Sequence, residues 1–87
     1  MSDARVYEIN GREVVITRRE ARWSERHDPA DFFVWDASVD GERAAIGKPG
    51  ISVAYRAARA LVTGEPDDRV GVAEIKDEME STFRYSR

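Results

Sequence analysis

Twice in this chain an alternating β-rich run enters a two-residue turn and leaves it as another run: "RVYEI-NG-REVVI" and "WDASV-DG-ERAAI". Asn-Gly and Asp-Gly accept positive φ at both central positions, which a type I′ hairpin demands. A two-residue loop leaves no slack, so each turn dictates the pairing of its strands. In the first hairpin Ile9 faces Arg12, Tyr7 faces Val14 and Arg5 faces Ile16. Tyr7, Ile9, Val14 and Ile16 then share a core face. In the second, Val39 faces Glu42, Ala37 faces Ala44 and Trp35 faces Ile46. That puts Phe33, Trp35, Ala37, Ala44 and Ile46 on one face.

The hairpins are separated by "SERHDPAD", a polar loop in which Pro29 blocks ladder pairing. After the second, "GKPG" breaks the sheet, and Ser52 is the expected cap of a helix over "VAYRAARALV". Its stripe is Ile51, Ala54, Tyr55, Ala58, Leu61 and Val62. Gly64 is the natural stop, with Pro66 behind it. "EPDDRVG" reads as a linker, with "RVGV" as an alternative short strand. "VAEIKDEMESTF" reads as a second helix with Val72, Ile75, Met79 and Phe83 at helical spacing, and "RYSR" as a frayed end. The expectation is one α+β domain over residues 1–87. It is a four-stranded antiparallel meander of two hairpins, followed by two α-helices packed on the sheet.

Chemistry is constrained by what is missing. There is no cysteine, which removes disulfides and thiolate metal sites. A cysteine-free small domain is expected in a reducing cytoplasm, and no apolar run has the length of a membrane helix or the pattern of a signal peptide. His27 is the single histidine and sits in the polar loop, where it is expected to be solvated. His27, Asp28 and Asp31 match no metal-site spacing. "GKPGIS" lacks the order of a phosphate loop and leaves Lys48 near a helix start, a weak anion site at most. No catalytic group, cofactor or metal is expected, and the chain reads as non-enzymatic.

Two features suggest binding. The inner strands are apolar on both parities: Val15, Ala21 and Trp23 oppose Val14 and Ile16, and Phe32 and Val34 oppose Phe33 and Trp35. A sheet with one solvated face does not need this. The expectation is one helix on each side. The alternative is both helices on the Tyr7/Trp35 face, leaving Trp23, Phe32 and Val34 as a patch for a partner or a second copy of the chain. The second feature is "TRREARWSER", where Arg18, Arg19, Arg22 and Arg26 surround Trp23. Arginines around an aromatic suit phosphates and a stacked base, or simply a charged edge strand that discourages aggregation.

The pattern Trp35-x-Ala37-x-Val39-x-Gly41-x-Arg43, with Gly47 and an Ala-rich helix after it, resembles the three-stranded DNA-reading domains of AP2 factors and integrase arm-binding domains. The resemblance spans Trp35 to Ala60 and implies a sheet face that presents Arg and Trp to a groove. Here the outward residues are Phe32, Val34, Asp36 and Ser38, with only Arg43 basic, so membership is not assigned.

Seventeen acidic and fourteen basic residues give a net charge of −3, a mosaic unlike the basic field of an obligate nucleic-acid binder. The expected function is therefore stoichiometric inhibition or adaptation of a protein partner. Trp23, Phe32, Val34, Arg18 and Arg22 would form one surface, and Asp67, Asp68, Glu74, Asp77 and Glu78 an acidic helix suited to a nucleic-acid-binding protein. Phage or mobile-element inhibitors such as anti-CRISPR proteins, and immunity proteins, fit this profile. The alternative is a DNA-binding accessory protein using Arg18, Arg19, Arg22, Trp23 and Arg43.

Overall fold

The computed structural model describes residues 3–25, 32–65 and 71–86. The Ser24–Asp31 loop beyond Glu25, with His27 and its neighbouring acids, and the linker with Asp67, Asp68 and "RV" lie outside the described residues. Strands β1 (Asp3–Ile9) and β2 (Arg12–Glu20) form the first hairpin, and β3 (Phe33–Val39) and β4 (Glu42–Lys48) the second. Helices α1 (Ile51–Thr63) and α2 (Val72–Thr82) follow, then a fifth strand β5 (Phe83–Ser86). The antiparallel sheet runs β4-β3-β2-β1-β5.

Both turns have the φ signs of type I′. Asn10 and Gly11 sit at 50° and 78°, Asp40 and Gly41 at 51° and 84°. The first hairpin has the expected register, with Ile9 opposite Arg12, Tyr7 opposite Val14 and Arg5 opposite Ile16. The second departs from it past Val39–Glu42. Ala37 pairs with Ala45 and not Ala44, and Trp35 with Lys48 and not Ile46. Irregularities in the ladder absorb the extra residues of β4. Gly47, at φ 65°, takes the left-handed conformation one of them needs. Its N–H donates to Asp36 at 2.8 Å, so the displaced amide is not orphaned. The shift buries Ala45 and leaves Ile46 exposed.

Helix α1 starts earlier than a Ser52 cap would place it. Gly50 is the N-cap, without a side-chain bond, and Ser52 lies inside the first turn. Gly64 ends it in the left-handed region, donating its N–H to the Ala60 carbonyl at 2.8 Å. Ala54, Tyr55 and Ala58 are buried, while Leu61 is exposed. On α2 only Ile75 is fully buried; Met79 is partly buried and Val72 exposed. The frayed end expected of "RYSR" is instead β5, paired with β1.

One cluster joins Tyr7, Ile9, Val14, Ile16, Ala37, Val39 and Ala45 of the sheet to Ala54, Tyr55 and Ala58 of α1 and Ile75 of α2. Both helices therefore pack on the same face, which corrects the expectation of one helix on each side. Tyr7 is central: its ring meets Tyr55 edge-on at 5.2 Å and Phe83 at 5.6 Å. On the opposite face Val6 and Val34 are nonetheless buried. Val6 lies across from Val15 and Tyr85, and Val34 across from Arg19. Such cross-strand neighbours are close enough for long side chains to shield small ones.

Candidate interaction surface

The sequence-predicted binding residues fall into three groups. The first lies where the β2–β3 ladder ends. Just past the paired residues, the Ala21 N–H donates to the Phe32 carbonyl at 2.8 Å. Phe32 follows from that position, Phe33 lies opposite Glu20, and Trp23 starts the short 3-10 turn just beyond Ala21. Trp23 is 77% exposed, Phe32 54% and Phe33 53%. The Arg18 guanidinium lies 4.9 Å from the Phe33 ring centre, a cation–π contact. Arg22 is exposed beside them. Val34, expected in this patch, is only 2% exposed and has no surface to offer a partner. Its place is taken by Phe33, which strand alternation assigned to the core. Phe33 is at the strand end, beyond the buried span of β3, so a core-facing parity brings it no cover.

The second group is the arginine set proposed for nucleic acid. Arg18 stands opposite Trp35, on the helix-bearing face. Arg19, one residue on, is turned to the other face, where its Nε donates to Asp36 at 2.6 Å and Nη2 at 3.3 Å. That fork is already occupied, since the same Asp36 also holds Gly47. Arg43 is on β4, opposite Ser38. These arginines do not form one stripe; the fold spreads them over both faces and consumes Arg19 structurally. A scan against protein-family models, a search of curated proteins and a search of solved structures found no match.

The third group is the acidic helix. Glu74 and Asp77 are exposed on α2. Glu78 is not available in the same way. It accepts from the Tyr55 hydroxyl at 2.8 Å and from Arg59 Nε at 2.9 Å. The Tyr55 oxygen also lies 2.9 Å from Thr82 Oγ1. This polar cluster fastens α2 to α1, and the periodicity of either helix alone does not reveal it. Its only trace was spacing: Tyr55 and Arg59 are one turn apart, as are Glu78 and Thr82, so each helix brings two matching groups. Burial pushes the Tyr55 hydroxyl above its ordinary range, and Glu78 adds to the shift against Thr82 and Arg59. The hydrogen bond that Arg59 donates to Glu78 raises its guanidinium further against its desolvation. Tyr55 stays neutral and Arg59 charged at physiological pH, so the cluster works as a fastening. Among the described residues no group of three His, Cys, Asp or Glu side chains could hold a metal ion.

Proposed function

We propose that this chain is a non-enzymatic binding protein that captures a protein partner, as a stoichiometric inhibitor or adaptor, through the aromatic end of its β2–β3 ladder. The observation that carries the reading is the exposure of Trp23, Phe32 and Phe33 together, with Arg18 stacked on Phe33. Exposed aromatics grouped with arginine are the composition of interface hot spots. Exposing three such rings at one end of the ladder opposes the hydrophobic effect, and contact with a partner relieves it. The exposed acids Glu74 and Asp77 add a negative face suited to a basic partner, such as a nucleic-acid-binding protein. An inhibitor borne by a phage or mobile element, of the anti-CRISPR or immunity type, is a role this combination fits.

The test is a tagged pull-down from nuclease-treated lysate with the wild type and with Trp23→Ala, Phe33→Ala and Glu74→Lys/Asp77→Lys. One stoichiometric protein is expected, with each aromatic truncation weakening capture by roughly tenfold or more. Capture that none of these changes alters would remove the tip as the site. An empty pull-down, with nucleic acid retained from untreated lysate, would overturn the protein-binding reading itself.

A further inference from the structure

A groove of about 600 Å³ opens at the start of α1, walled by β1, β5 and α2. That volume is in the range of small-molecule sites, roughly 300–1,000 Å³. Its apolar lining is Tyr7, Ile51, Met79 and Phe83. Phe83 meets the Tyr7 ring edge-on and is 41% exposed, so part of its surface is left for an occupant. Two cations reach the same groove from different elements, Arg5 from β1 and Lys76 from α2. Among the described residues neither side chain is hydrogen-bonded or ion-paired. Glu80, one helical turn past Lys76, also lines the groove without closing an ion pair with it. The first turn of α1 opens here too, with Ile51 and Ser52 in the wall and a glycine N-cap that spends no side chain on its amides.

We propose that this groove binds a small organic monoanion with an apolar body, of the class of aromatic or medium-chain carboxylates. The apolar lining takes the body, and Arg5 and Lys76 take the charged head, with the positive end of α1 adding to their field. Two cations against one carboxylate leave one net positive charge, which a monoanion neutralises and a dianion overshoots. The site is made by residues outside the aromatic tip and does not depend on the protein-binding reading.

The experiment is a titration of the isotope-labelled full chain with octanoate, followed by amide chemical shifts. Octylamine and octanol serve as matched cationic and neutral controls. Saturable shifts are expected at Ile51, Ser52, Lys76 and Phe83, with octanoate bound more tightly than either control. Arg5→Gln and Lys76→Gln should each weaken octanoate about fivefold, the effect of one partly solvated charge. Lys76 is exposed on α2, so its variant keeps the fold and the spectrum shows this directly. Equal binding of the three compounds, no saturable shift, or shifts confined to Trp23, Phe32 and Phe33 would each overturn the proposal.

Discussion

Glu78 shows how little a charge in a sequence says about its employment. It stands in an acidic run and reads as one of several solvated carboxylates, yet it receives bonds from both Tyr55 and Arg59. Which acids a fold consumes depends on the neighbour helix, and periodicity along one helix does not contain that neighbour. Glu78→Ala removes the carboxylate to which Tyr55 and Arg59 both donate, leaving Tyr55 with Thr82 and Arg59 with Glu65 at 3.6 Å. The expected cost is about 1–3 kcal/mol by urea unfolding. Tyr55→Phe should cost less alone, and the double variant should fall short of the sum. Additive losses would mean that the cluster is not one unit. Asp40 offers a pH-resolved case. The Arg12 side chain, and next the Glu13 N–H, hold its carboxyl below the ordinary value of 3.8. A lowered folded pKa contributes stability above the unfolded value, lost as pH falls through the folded one. Asp40→Asn keeps a good turn residue but removes the charge. It should be less stable than wild type at neutral pH, with the gap closing as pH falls below the ordinary carboxyl value of 3.8. A gap that is constant with pH would assign the loss to geometry instead of charge.

At the scale of elements, the parts with strong local rules were legible and the parts ruled by distant partners were not. Asn10-Gly11 and Asp40-Gly41 carry their turn type in two residues, so both hairpins and the whole first register follow from them. The β4 irregularities do not, because the carboxylate that satisfies the Gly47 amide is eleven residues away on β3. The strand β5 was hidden for a similar reason. Four residues carry too little periodicity to identify a strand, and β5 exists because β1 presents an edge. The last two elements are also thinly anchored, since α2 buries only Ile75 completely. Ile75→Ala should therefore cost about 2–4 kcal/mol. Hydrogen exchange should show amides of α2 and β5 losing protection before those of β2 and β3. Simultaneous loss across all strands would show that the sheet and its C-terminal part open as one.

For the molecule as a whole, the decisive outcome is the placement of both helices on one face. The binary pattern of the strands permits either arrangement, since both parities are apolar; the choice is made by the Tyr7–Tyr55 and Ile75 contacts, which no single strand encodes. Part of the predicted patch survives this choice, as Trp23 and Phe32 are exposed, and part does not, as Val34 is buried. The exposed rings contribute little to folding where they stand. Trp23→Ala and Phe33→Ala should each change unfolding free energy by no more than about 1 kcal/mol, Phe33→Ala the more because it loses its Arg18 contact. Circular dichroism melts of the pull-down variants check this, and a large loss would turn the tip into a structural element.

The pairing of β5 with β1 has a mechanical consequence. Arg5 lies opposite Ser86, so the antiparallel ladder sets the start of β1 and the end of β5 on the same side. A load applied between them would not shear the ladder, in which case its hydrogen bonds would resist together. It would open the ladder one rung at a time, like a zip pulled from its top, and the weakest-anchored strand is the one placed to yield first. Tension between these two strand ends would peel away the wall of the groove before it disturbed the aromatic tip.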